Sequence, residues 1–174
     1  MSTNSALAVK DDAGGPNLSE LELLKTQYLE ALTFVERPHR CLLDVIKDEL
    51  DRIGCDEINS VQALLLFNIG DAELTAGELR TRGHYLGSNV SYNLKKLVDT
   101  GYIHHKRSEA DRRSVRVSLT DKGLEIKSLV DELYGRHLLS LKPVGEVDEN
   151  DLETMNTSLR RLERFWTDQI RYRL

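Results

Sequence analysis

The stretch Leu74–Thr120 constrains this chain most, because its hydrophobic period changes from helical to extended within a few residues. Val90, Leu94, Leu97 and Val98 fall at i, i+4, i+7 and i+8, the spacing of one buried helix face. Ser88, Asn89, Ser91, Tyr92 and Lys95 occupy the other face, and all can donate or accept hydrogen bonds. Gly101 is placed to stop that helix, since glycine tolerates the left-handed conformation that closes one. Val115, Val117 and Leu119 then alternate with Ser114, Arg116 and Ser118, the period-two pattern of a half-buried strand. Between helix and strand runs HHKRSEADRR, which loads the tip of a two-stranded hairpin with arginine. Upstream, Thr75 with Glu78 three residues later makes a capping box for a shorter helix, AGELRTRG. The stretch therefore reads as short helix, turn, second helix and hairpin.

Charge narrows the partner. The chain as a whole is acidic, at −5. Within Leu74–Thr120, however, Arg80, Arg82, Lys95, Lys96, Lys106, Arg107, Arg112, Arg113 and Arg116 face only Glu78, Asp99, Glu109 and Asp111, a local balance of +5. A basic module on an acidic body is what phosphate binding requires. The plainer alternative is that these are solvated surface charges.

The rest of the chain reads as helices around this module. Residues 1–17 are small, polar and glycine-containing, and are expected to be disordered. From Leu18, the stripe Leu21, Leu24, Tyr28, Leu32 and Val35 predicts a helix, with Ser19 as N-cap and Glu22 as its capping-box partner. Pro38 removes an amide donor, so either one kinked helix or two helices reach Ile53 and Gly54. Asn59 is expected to cap VQALLLFNIG, which is apolar nearly all round and so should lie at the centre of the domain. After the hairpin, a helix is expected from Thr120 to about Leu141, with Ile126, Leu129, Val130 and Leu133 inward and Pro143 and Gly145 as breakers. A last helix is expected over Glu149–Ile170.

Several function classes find no support in the residues. No apolar run approaches the ~20 residues needed to span a bilayer, and the first residues lack the pattern of a secretory signal, so a cytoplasmic protein without membrane partners is expected. Two cysteines, Cys41 and Cys55, are too few for a disulfide scaffold or a zinc site. His39, His84, His104 and His105 form no tight ligand cluster, and adjacent strand residues His104 and His105 point to opposite faces. Neither metal nor cofactor is expected. No triad order, phosphate loop or paired-carboxylate spacing marks an enzyme. Cys41 lies between apolar neighbours and reads as an inert core residue, with thiol-based redox sensing as the alternative.

The run DRRSVRVSLTDKG, Asp111–Gly123, preceded by a helix ending LKKLVDTGYI, resembles the MarR family of winged helix-turn-helix transcription regulators over roughly Leu42–Leu141. The wider chain also resembles an alphaproteobacterial branch associated with cell-envelope genes. One departure is the turn RGHYLGSN, which is not the compact alanine-and-serine turn of most members and leaves the first residue of the second helix open. The resemblance implies a mainly α fold, a winged helix-turn-helix with long N- and C-terminal dimerisation helices. Its divisions are a tail at 1–17, an N-terminal helix at 18–57, a DNA-binding domain at 58–120 and C-terminal helices at 121–174. It further implies a homodimer on double-stranded DNA with a pseudo-palindromic operator.

In such a module the second helix enters the major groove, where each base pair shows a distinct donor and acceptor pattern. Ser88, Asn89, Ser91 and Tyr92 are then candidates for base contact, and Lys95 for a phosphate. The plainer alternative is that Ser88 and Asn89 only cap the helix. By resemblance, Arg113 enters the minor groove, Arg107 and Arg112 share the wing tip, and Asp111 braces the tip by pairing with an arginine. The resemblance also implies a pocket for a small aromatic or amphipathic ligand between the dimer helices and the DNA-binding lobe, sought near Tyr28, Leu32, His39, Cys41 and Phe67, which supply apolar surface with a few polar groups. The alternative is a protein-interaction adaptor that keeps the winged fold without reading DNA.

Overall fold

The computed structural model describes residues 17–75, 77–79, 87–107 and 115–172. They fall in two compact units, one ending at Leu42 and one formed by Leu43–Leu174. In chain order the elements are α1 (Leu18–Arg52), α2 (Ser60–Ile69), β1 (Leu74–Thr75), α3 (Gly87–Asp99), β2 (Ile103–Arg107), β3 (Val115–Leu119), α4 (Asp121–Gly145) and α5 (Glu149–Tyr172). Residues 77–79 are also helical.

Helix α1 runs unbroken through Pro38, so one helix rather than two fills this stretch. Its cap is Asn17 and not Ser19. The Asn17 side chain accepts the Glu20 N–H at 3.0 Å, and the Asn17 N–H donates to the Glu20 carboxylate at 3.0 Å. The reciprocal pattern expected of Ser19 and Glu22 thus occurs two residues earlier. Leu21, Leu24, Tyr28 and Val35 are exposed along the helix. Cys41 is exposed as well, which corrects its expected place in a core. At 3.6 residues per turn Cys41 lies about 140° around the helix from Ile46, away from the face that Ile46 and Leu50 bury.

Helix α2 is the centre of the second unit. Asn59 caps it through a full capping box with Gln62, and Ala63, Leu65, Leu66 and Ile69 are buried. It packs along α4, which contributes Ile126, Val130 and Leu133, while Leu129 is half-buried. Each such leucine or isoleucine contributes roughly 1.5–3 kcal/mol by leaving water. Glu49 is buried among these helices but is paired with Arg136 and, at 3.0 Å, with Arg52.

The sheet has three strands, not two, in the antiparallel order β1-β3-β2. Leu74 pairs with Val117 and Thr75 with Arg116. A two-residue strand is too short to show an alternation, so no periodicity marks Leu74–Thr75 as extended.

Helix α4 does not stop near Leu141. It continues through Pro143 to Gly145 and closes on Glu146 at φ 54°. A proline in the last turn forfeits one hydrogen bond, and the end is repaired by Glu146 N–H to Lys142 O and Val147 N–H to Leu141 O. Asp148 then caps α5, which extends to Tyr172 and buries none of its residues. Met155, Phe165, Ile170 and Tyr172 on α5, like Leu138, Leu139 and Val144 on α4, are exposed. No helix among the described residues is long and apolar enough to cross a membrane.

Candidate nucleic-acid interface

Helix α3 is held by one face and one end. Val90, Leu94 and Leu97 are buried, and the Gln62 amide donates to the Asn93 side chain at 3.2 Å, tying α3 to α2. Gln62 is itself buried, and it satisfies both its cap and this bond. The end of α3 is closed by Gly101 at φ 77°, with Tyr102 N–H bonded to Leu97 O at 2.8 Å and Gly101 N–H to Val98 O at 3.0 Å. This doubly bonded glycine stop fixes the direction in which the chain leaves for the wing.

Tyr102 joins that end to three other segments. Its ring is buried, and its hydroxyl donates to the Glu57 carboxylate at 3.0 Å while lying 3.7 Å from Cys55 Sγ. Lys122 pairs with the same carboxylate and stands 4.3 Å from the centre of the tyrosine ring. The Lys122 ammonium and the Tyr102 hydroxyl hold the Glu57 carboxyl below the usual carboxylate range. Burial, with Cys55 and Glu57 beside it, pushes the Tyr102 phenol well above its ordinary value. The group is therefore a neutral donor at any physiological pH. On the other side, Tyr102 O accepts the Thr120 N–H at 3.1 Å.

The opposite face of α3 is open. Ser91, Tyr92 and Lys95 are exposed, Tyr92 at 70 %. Ser88 and Asn89 lie at the start of the described part of α3, Gly87–Asp99. Their side chains lie outside the described residues, as does that of Arg107 at the end of β2. Asp111, Arg112 and Arg113 lie outside them altogether. Thr75 caps the helical residues 77–79 as expected, accepting Glu78 N–H at 3.1 Å while its own N–H donates to Glu78 at 2.6 Å.

Of the expected ligand residues, Tyr28, His39 and Cys41 are exposed on α1 and Leu32 is half-buried. Phe67 is half-buried on α2 and meets the Tyr134 ring edge-on at 5.0 Å. Sequence reasoning missed Gln62, Glu57, Tyr102 and Lys122 as supports of α3. Only Gln62 carried a local signal, three residues after the cap Asn59.

The arrangement of helices and paired strands has counterparts among known proteins. The sequence model of the winged helix DNA-binding domain matches residues 58–123. The exopolysaccharide II synthesis transcriptional activator ExpG of Rhizobium meliloti (strain 1021) is 39% identical over 145 residues, covering 83% of this chain and 74% of that protein. Streptococcus pneumoniae FabT, solved in complex with DNA, superimposes with a TM-score of 0.62 at 24% identity, over 81% of this chain and 98% of that one. A mutant MarR from E. coli complexed with operator DNA gives 0.64 at 20% identity, over 78% and 95%. At these identities the two structures speak for the fold.

Proposed function

The chain belongs to the MarR family of winged helix-turn-helix transcription regulators, and from that premise we propose that it binds a pseudo-palindromic operator as a homodimer. The observation that carries this reading is the division of α3. One face is buried and tied to α2, and the other presents Ser91, Tyr92 and Lys95 to solvent. Ser88 and Asn89, with Arg107, Arg112 and Arg113 of the wing, complete the proposed contact set, and Asp111 braces it.

Dimerisation is supported by the apolar residues that the terminal helices leave exposed, Leu21, Leu24 and Tyr28 on α1 and Met155, Phe165 and Ile170 on α5. A second copy covering them would remove a large apolar surface from water. The likeness to ExpG, named for transcriptional activation of exopolysaccharide II synthesis, supports an activating role at cell-envelope polysaccharide genes.

Footprinting on the DNA upstream of the protein's own coding sequence tests the reading. Two protected half-sites are expected about one helical turn apart, ~34–36 Å. Tyr92→Ala is expected to weaken both protections without lowering the melting temperature, because the side chain is 70 % exposed. A single protected patch, or protection indifferent to Tyr92, would contradict it.

A small aromatic or amphipathic effector is part of the same proposal. It can act only through unequal affinity for the DNA-competent and incompetent states. An effector that weakens DNA binding should also raise the melting temperature of the free protein. A compound series in which no inhibitor of DNA binding does so would remove this part.

A further inference from the structure

The outer face of the wing sheet carries a charge arrangement that folding alone does not favour. Ile103 and Val117 are buried on the inner face, so strand alternation places His104 and Lys106 of β2 and Arg116 and Ser118 of β3 on the outer one. In the register, Lys106 stands directly opposite Arg116 and His104 opposite Ser118. Both cations are exposed. Directly opposed residues in an antiparallel pair have Cβ atoms only about 4.5–5.5 Å apart, and like charges there repel. Among the described residues Lys106 makes no ion pair, and the carboxylate that Arg116 reaches is Glu73, at 3.9 Å, near the limit of such a contact. The Lys106–Arg116 pair is one step from Arg107–Val115, the last register pair before the hairpin tip.

We propose that Lys106 and Arg116 form a two-cation clamp for a DNA backbone phosphate beside the groove that the wing tip enters. The proposal rests on the DNA-binding reading above and adds to it a contact set distinct from α3 and from the tip arginines. A phosphate between the two side chains turns their repulsion into two charge-assisted contacts. Arg116 can offer its planar fork to two phosphate oxygens, and Lys106 supplies a flexible point charge. Thr75, paired with Arg116 on the other side, keeps this face polar rather than apolar. Such contacts carry no sequence information, and they would set the register of the wing on the duplex.

The test is binding of the full chain to its own upstream DNA and to an unrelated duplex, between about 50 and about 200 mM salt. Variants are Lys106→Gln, Arg116→Gln, the conservative Lys106→Arg, and Lys142→Gln on α4 as a control for general loss of charge. Lys106→Gln and Arg116→Gln should each weaken both duplexes by roughly tenfold, as expected for loss of a charge-assisted bond, and lower the slope of log K against log salt by about 0.9 per wing. Lys106→Arg should retain binding, and Lys142→Gln should leave the slope unchanged. Melting temperatures should hold or rise in the two Gln variants, since each removes a like-charge contact. Wild-type affinity and slope in both Gln variants would overturn the proposal, and so would weakened binding accompanied by a lowered melting temperature in both. If the wild-type protein itself binds weakly and without salt dependence, the DNA-binding reading falls and takes the clamp with it. Steep wild-type binding matched by the variants defeats the clamp alone.

Discussion

Gly123→Ala is expected to lower the melting temperature by roughly 6–12 °C, the equivalent of about 3 kcal/mol in a chain of this size. Gly123 sits in the first turn of α4, where its N–H donates to the Thr120 side chain at 3.2 Å. A Cβ there would overlap the carbonyl oxygen of Tyr102 and lie 3.3 Å from Cβ of Leu119. The obstacle is backbone rather than the tip of a flexible side chain, so α4 or the start of the wing must move. That movement also strains the Thr120 N–H bond to the same carbonyl. Because Tyr102 closes α3 and opens β2, the loss should reach DNA binding as well as stability. Gly135→Ala is the contrasting control: it lies inside α4 with no atom within 4 Å of the added Cβ, so it should stabilise by about 0.4–1 kcal/mol. Thermal melts of both variants decide the matter, and a Gly123→Ala protein within about 1 °C of wild type would show that α4 and the wing are not packed as described.

The same junction explains what could and could not be read from the sequence. Helix α3 was legible because it combines a two-faced pattern with a glycine stop, both encoded in adjacent residues. The strands β2 and β3 were legible through Val115, Val117 and Leu119. Helix α2 was legible because an all-apolar segment has no alternative to the centre of the unit. Local rules failed where two candidates competed within a turn. Asn17 and Ser19 both stand three residues before a glutamate, and the earlier one starts α1. Pro143 reads as a stop, although a proline in a final turn costs only one bond. Cys41 reads as a core residue from its apolar neighbours, but successive helix residues are turned by about 100°, so sequence neighbours do not share a face. The Tyr102, Glu57 and Lys122 cluster was out of reach altogether. It joins residues 45 and 65 positions apart, and no periodicity reports a contact across that distance.

The other large effect is expected at Arg113. A guanidinium in a narrow minor groove sits where the negative potential of the duplex is concentrated, so its removal should matter more than removal of any single phosphate contact. In a homodimer both wings lose it together. Loss of hydrogen bonds to charged groups in two wings weakens binding by roughly 100-fold, and two fewer neutralising cations lower the salt slope by about 1.8. Specificity for A·T-rich flanks should relax as well, since groove width is what that residue would sense.

DNA reading by the wing is tested most directly by a salt series of the protein's affinity for its own upstream DNA, with Arg113→Ala alongside. Affinity is expected to fall steeply as salt rises, with a marked loss and a shallower slope in the variant. Weak binding that ignores both salt and Arg113 would contradict it and would leave a winged fold kept for contact with another protein.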